Sequence, residues 1–381
     1  MSLTRPLLAP LIAFVAVAVA CGGERNPGAR DTVGAPVATV ELQGEVLPLV
    51  ADTLVPAVVT ERTATDTDDP AIYVDPVDPA RSFVIGTDKG DTNGGVYAFR
   101  LDGRIDRART VTPLQRMNNV DIEYGLAGPT GAIDIAVATE RNRMMLRVFA
   151  LPSMRPIDGG GIPVFEGDQA RAPMGVALYR RPSDGAVFAI VGGKGGPTDG
   201  TYLWQYRLDV DGSGTVRGTK VRAFGGYSGQ KEIEAIVVDD ELGYVYYSDE
   251  GVGVRKYHAD PDAGSAELAL FATSGVAEDH EGLAVYRRDD GTGYIILSDQ
   301  QAQRIHVFTR EGSPGDPHAH RRLAVIPVKA LETDGLEVTA RSLGPTFPRG
   351  LLVMMSTDQT FHYYRWEDVE AAISRAPGAR P

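Results

Sequence analysis

Thr65-Asp66-Thr67-Asp68-Asp69-Pro70-Ala71-Ile72-Tyr73-Val74-Asp75-Pro76, then Phe83-Val84-Ile85-Gly86-Thr87-Asp88-Lys89, then Gly95-Val96-Tyr97-Ala98-Phe99-Arg100-Leu101-Asp102-Gly103, is the stretch that decides how this chain folds. It reads as an acidic cluster, a short apolar strand, a turn, a strand ending in Thr-Asp-Lys, a turn and a third strand. The same order returns downstream. First strands are Ile72-Tyr73-Val74, Val120-Asp121-Ile122, Val176-Ala177-Leu178, Ile236-Val237-Val238, Leu283-Ala284-Val285 and Leu336-Glu337-Val338, each after a polar or Gly-containing signal. Second strands follow at 83–87, 133–139, 187–192, 244–248, 294–298 and 351–356, and third strands at 96–101, 145–150, 202–208, 252–257, 304–309 and 361–365. Six copies start about 47 to 60 residues apart, which suits sheets arranged as propeller blades. The expected fold class is all-β, a six-bladed β-propeller of four-stranded antiparallel blades. One twisted sheet cannot bury both faces alone, whereas six packed radially can, and ring closure leaves only short edges. Residues 41–60 supply the candidate closing strand, and 366–374 a short terminal helix.

Outward from the repeats, the N-terminus has a different character. Arg5 precedes an apolar run over 7–20 that is too short to span a bilayer comfortably, so 1–20 reads as an export signal. The single cysteine, Cys21, follows Ala18-Val19-Ala20, a pattern resembling a bacterial lipoprotein signal in which that cysteine is lipidated. Ala18 stands where such signals usually have Leu, and ordinary cleavage nearby is the alternative. Residues 21–40 read as a flexible tether and 41–381 as one propeller domain. The expectation is an exported protein, either secreted or anchored to the cell envelope only through Cys21, and monomeric. One cysteine permits no intramolecular disulfide. Across 381 residues, 43% hydrophobic with 44 Gly and 25 Pro, the composition is that of a turn-rich globular protein. A formal charge of −13 argues against nucleic acid or an anionic membrane surface as partner. An anionic ligand would need those carboxylates neutralised locally, as a divalent cation does.

The segments entering first strands are acidic or amide-rich in five repeats: Asp68-Asp69, Asn118-Asn119 with Asp121, Glu232 with Glu234, Asp279 with Glu281, and Asp334 with Glu337. In a propeller these meet at one end of the central channel. Hard oxygen donors without thiolates favour Ca²⁺ over zinc or copper; the bland reading of any one Asp is turn chemistry. Lys89, Arg141 and Lys194 occupy comparable inner positions and suit a phosphate-bearing ligand, or else simple salt bridges with the acids. Asp209-Val210-Asp211-Gly212-Ser213-Gly214 reads as a hairpin loop and Gly192 to Gly196 lacks the Ser or Thr of a phosphate loop. Asp316, His318 and His320 read as a solvated loop, and neither a G-x-S-x-G elbow nor a cysteine nucleophile is present.

These residues resemble the β-propeller phytases over roughly 55–366. The resemblance is carried by Asp68-Asp69-Pro70-Ala71-Ile72-Tyr73, Gly86-Thr87-Asp88-Lys89, Asn118-Asn119-Val120-Asp121, Gly193-Lys194, Glu234 with Asp239-Asp240, Asp249-Glu250-Gly251-Val252-Gly253, Asp279-His280-Glu281-Gly282-Leu283 and Asp334-Gly335-Leu336-Glu337-Val338. It implies a 3-phytase-like phosphoric monoester hydrolase that uses several Ca²⁺ ions and activated water to cleave myo-inositol hexakisphosphate (phytate) or its calcium complex. By position it implies metal ligation by Asp68, Asp69, Glu234, Glu250, Asp279, Glu281 and Asp334. Cleavage would be directed by Glu234, Asp279, Glu281, Lys89 and Arg141, with phosphates held by Lys89, Arg141, Lys194, Asn118 and Asn119. The chain departs from the family at Met174, where Tyr is usual, at Ala235, where Gly is common, and before Asp334, where Glu332 is the nearest acid. Two other classes compete: a calcium-dependent propeller lactonase or esterase, which needs no cationic phosphate grip, and a non-catalytic surface-binding propeller.

Overall fold

The computed structural model describes residues 40–42 and 45–378. Cys21, the export segment and nearly all of the tether lie outside the described residues. After a two-stranded hairpin of Val40–Leu42 and Glu45–Leu47, six larger antiparallel sheets follow one another along the described residues. The innermost strands are Thr67–Tyr73, Met117–Gly128, Pro173–Arg180, Ile236–Asp239, His280–Arg287 and Leu336–Thr339. Each is followed outward by a second and a third strand, as in Phe83–Asp88 and Gly94–Arg100 of blade one. Most fourth strands come next in sequence, from Val111–Leu114 in blade one to Arg322–Pro327 in blade five. The protein is a six-bladed β-propeller.

Strand alternation explains the ring. Along Phe83–Asp88, Phe83 and Ile85 pack with Val120, Ala136 and Phe149 of blade two, while Val84 packs with Leu351, Val353 and Phe361 of blade six. Each sheet therefore offers two apolar faces, and six buried clusters occupy the six seams. A fully buried side chain of this size contributes about 1.5–3 kcal/mol. At Gly86 any Cβ would collide with the Phe361 ring, so the one-blade/six-blade seam needs glycine there.

Both chain ends build blade six. Its outermost strand is Val58–Val59, paired with Tyr363 and His362 of the third strand. The closing strand is thus two residues long, shorter than the 41–60 expected, because Leu49 and Leu54 instead bridge in parallel to Val325 and Val328 beside blade five. The terminal helix forms as expected over Trp366–Arg375, burying Trp366, Val369, Ala372 and Ile373 along one stripe. Trp366 stacks on Tyr286 at 3.6 Å, pinning the helix to blade five. One sequence expectation is corrected: His320 is buried, its Nδ1 2.7 Å from the Thr309 carbonyl and its Nε2 3.2 Å from Lys256. The strand that follows it draws His320 inward and leaves its neighbour His318 only half-buried.

Candidate active site at the channel mouth

The inner strands of blades one, two, three and five each begin with a register shift, between Thr67/Pro70, Met117/Val120, Pro173/Val176 and His280/Leu283. A bulge re-aims the residues inside it. Those residues are Asp68-Asp69, Asn118-Asn119, Met174-Gly175 and Glu281-Gly282. In blades four and six the same place, just before Ile236 and Leu336, is taken by Glu234-Ala235 and Asp334-Gly335. The first member of each pair makes a ring of six: Asp68, Asn118, Met174, Glu234, Glu281 and Asp334. The second member is small in four blades because the next blade's backbone passes close; a Cβ on Gly282 would sit 3.0 Å from the Asp334 carbonyl oxygen and 2.9 Å from the Leu336 nitrogen.

The second strands end in another repeated pattern: Thr87-Asp88-Lys89, Thr139-Glu140-Arg141, Gly192-Gly193-Lys194, Ser248-Asp249-Glu250 and Ser298-Asp299-Gln300. In blades two, four and five the hydroxyl holds the entry to the next blade's inner strand, whereas Thr87 Oγ1 bonds Asp69 of its own blade. Thr139 Oγ1 donates to the Met174 carbonyl at 2.7 Å, Ser248 Oγ to that of Glu281 at 3.0 Å and Ser298 Oγ to that of Thr333 at 2.9 Å. The acid after it accepts an amide N–H from the loop approaching its own blade's inner strand: Asp88 from Thr65 at 2.8 Å, Glu140 from Gln115 at 2.9 Å, Asp249 from Ser228 at 2.9 Å and Asp299 from Ala277 at 3.0 Å. The third residue projects over the mouth. Blades one to three therefore present Lys89, Arg141 and Lys194, and blades four and five present Glu250 and Gln300.

On the acidic side, carboxylate oxygens of Glu232, Glu234 and Glu250 lie within 4.8 Å of one another, as do those of Glu250, Asp279 and Glu281. Burial, reinforced by Asp68 and Asp334, pushes Glu234 well above the ordinary carboxylate range. Glu281 is driven well up by burial and then by Glu234 and Glu250. Glu250 rises to about 8 through burial and the charges of Glu232 and Asp279. Lys89 bridges the far side, 2.9 Å from Asp68 and 2.6 Å from Asp334, whose other oxygen accepts from Gln300 Nε2 at 2.5 Å. Burial still raises Asp334 to about 6. Asn118 Nδ2 donates to Asp68 at 3.0 Å and Glu234 at 3.3 Å, joining the two sides. Lys194 pairs with Glu232 at 2.8 Å. The Arg141 guanidinium makes no hydrogen bond or ion pair among the described residues, yet it feels Glu232, Glu234 and Asp68.

Not every predicted residue joins the mouth cluster. Asp69, Asn119, Asp121 and Glu337 line the channel itself, a cavity of about 440 Å³ walled further by Val, Ile and Leu of the inner strands and, among its charged residues, by Glu123, Asp240, Arg287 and Arg341. Asp69 accepts from the Val120 N–H of blade two at 3.0 Å and Asp121 from the Leu178 N–H of blade three at 2.6 Å. These acids fasten neighbouring inner strands to each other. Three mouth residues were not singled out from sequence: Lys231, Gln300 and Gln301. The recurring strand-two ending could have found Gln300; nothing comparable marks Lys231 or Gln301.

A family model described as Phytase matches residues 32–374. The chain belongs to the phytase family. The 3-phytase of Bacillus subtilis (strain 168) is 28% identical over 351 residues, covering 84% of this chain and 86% of that protein. A solved structure of a luciferin-regenerating enzyme aligns with a TM-score of 0.49 at 13% identity, over 81% of this chain and 94% of that one. The mouth of this phytase-family propeller fits a hard divalent cation. Its donors are all oxygen, and Glu250 Oε1, Glu281 Oε2 and Asn118 Oδ1 are buried without a hydrogen-bond partner. Glu250 and Glu281, packed this close to other carboxylates and each with an oxygen that no donor reaches, must either take up protons or share a cation.

Proposed function

We propose that this protein is a calcium-dependent phytase, releasing phosphate from myo-inositol hexakisphosphate with water as the attacking group. The observation that carries the reading is the division of one mouth into an acidic half, built by Glu234, Glu250, Asp279 and Glu281, and a cationic half, built by Lys89, Arg141 and Lys194. Asp68 and Asp334 stand at the boundary under Lys89. Ca²⁺ ions held by these carboxylates would supply charge neutralisation and acidify water, the two things a phosphate dianion demands of its catalyst. Arg141 and Lys194 bind and orient phosphate oxygens from the blade-two and blade-three side. Asn118 fixes Asp68 and Glu234 relative to one another. The nearby hydroxyls of Thr139, Ser248 and Ser298 donate to backbone carbonyls rather than to a general base, which supports water as the attacking group.

The cationic half favours this reading over a lactonase, whose neutral substrate has no use for three cations. Met174, buried in the ring of six, removes one polar contact from blade three and points to a grip weighted toward blades one and two. The apolar run at 7–20 and Cys21 support an exported chain, anchored to the envelope or secreted, with residues 1–20 removed, 21–40 as tether and a monomeric propeller from 41 onward.

The test is phosphate release from phytate with and without Ca²⁺. Wild type should release phosphate only with Ca²⁺. Glu234→Gln should lower kcat by at least about a hundredfold, and Arg141→Ala should act mainly on KM. Failure of wild type to release phosphate at any Ca²⁺ concentration defeats the proposal.

A further inference from the structure

The two carboxylate groups at the mouth share Glu250 and are built alike. In each, two members are buried: Glu234 and Glu250 in one, Glu250 and Glu281 in the other. In each, the remaining member is more exposed and carries a lysine. Glu232 is capped by Lys194 at 2.8 Å, and Asp279 is capped by Lys231. Lys231 therefore stands to the second group as Lys194 stands to the first.

The anchors of the two partners show which of them can move. Asp279 keeps its place without the lysine, because Gln301 Nε2 donates to Asp279 Oδ2 at 2.8 Å and Gln301 Oε1 accepts the Asp279 N–H at 3.0 Å. The backbone bearing Lys231 is fixed too: Tyr227 Oη donates to the Lys231 carbonyl, and Ser228 is tied to Asp249 by both its N–H and its hydroxyl, at 2.9 and 2.7 Å. Only the lysine stem, 44% exposed, is free to swing. A divalent cation on Asp279 would compete directly with the ammonium group and release it on the side of blades four and five, across the acidic half from Lys194 on Glu232.

We propose that Lys231 is a further substrate-binding residue, exchanging Asp279 for a phosphate of a polyphosphorylated substrate when a divalent cation takes that carboxylate. The inference rests on the phytase reading of the mouth. It adds a grip on the side of blades four and five, opposite Lys89 and Arg141, so a substrate with phosphates on both sides of the reacting one gains most.

The test pairs Lys231→Met with Lys231→Arg. Calorimetry measures Ca²⁺ binding and then binding of myo-inositol hexasulfate, a polyanion that is not a phosphate ester, to the Ca²⁺-loaded protein. Lys231→Met should bind Ca²⁺ at least as tightly as wild type, since the competing ammonium is gone. It should bind hexasulfate about tenfold more weakly, the usual size of one charge-assisted contact. KM for phytate should rise with kcat unchanged, and Lys231→Arg should restore both. Unchanged hexasulfate binding in Lys231→Met overturns the proposal while leaving the phytase reading intact. Lost Ca²⁺ binding in that variant also overturns it, by making the lysine a structural prop. A wild type that neither binds hexasulfate nor releases phosphate in Ca²⁺ overturns both.

Discussion

Glu250 is the carboxylate common to both groups at the mouth, and replacing it with Gln should stabilise the cation-free protein. Its side chain is 4% exposed, and burial with Glu232 and Asp279 lifts it from 4.5 to about 8. A carboxyl raised on folding contributes its full share of stability below its unfolded value, near 4.5, and that share is lost as pH climbs through about 8. At about 1.4 kcal/mol per pH unit, the gap sets a ceiling of about 5 kcal/mol on what ionised Glu250 costs above pH 8. Glutamine keeps the shape and cannot ionise. In chelator at pH 9, Glu250→Gln should therefore gain about 2–5 kcal/mol over wild type in urea unfolding, while at pH 4.5 the two should coincide. Adding Ca²⁺ at pH 9 should reverse the order, because wild type recovers through cation binding and the variant does not. If Glu250→Gln is no more stable than wild type in chelator at pH 9, the mouth is not a set of carboxylates in want of a cation.

Three other perturbations probe the frame that holds the mouth. Gly175→Ala places a methyl against the Glu234 carbonyl oxygen; calorimetric melting should show a loss of about 1–3 kcal/mol, accompanied by reduced phosphate release as Glu234 shifts. Ser248→Ala removes the 3.0 Å latch onto the Glu281 carbonyl and should cost about 1 kcal/mol in urea unfolding, with weakened Ca²⁺ binding as the sign that Glu281 has lost its position. Asp239→Asn breaks the buried pair in which Arg310 Nε and Nη2 lie 2.5 and 2.7 Å from the carboxylate; the expected loss is about 3–5 kcal/mol in unfolding free energy, with the KM of whatever folded protein remains unchanged, because the pair sits away from the mouth.

How much of this could be read from the residues divides along a physical line. The apolar triplets such as Ile236-Val237-Val238 and the acids before them announced blades and mouth, since strand alternation and strand order are properties of sequence. Direction was not legible. Asp68 and Asp69 are adjacent and chemically identical, yet the bulge between Thr67 and Pro70 sends Asp68 to Lys89 and Asn118 and Asp69 into the channel toward Val120. Asp88, Glu140, Asp249 and Asp299 likewise resemble site acids, but each is occupied with the amide of an approach loop. Lys231 carries no local signature because its partner, Asp279, is 48 residues away and in another blade. His320 looked solvated among Pro and Gly because burial there is imposed by Thr309 and Lys256, which the local sequence does not reveal.

The two-residue strand Val58–Val59 has a consequence in time. Its partners, Tyr363 and His362, lie near the other end of the chain. A polypeptide made from its N-terminus must wait for almost its whole length before this strand has anything to pair with, while blades two to five can assemble from neighbours already emerged. Bringing such distant segments together is entropically the slow part of folding such a chain. Until then the blade-one/blade-six seam, with Phe361 and Tyr363 on one side and Val84 and Phe99 on the other, has no second wall. The ring is an open arc throughout synthesis, and Asp334 reaches Lys89 only when its last blade arrives.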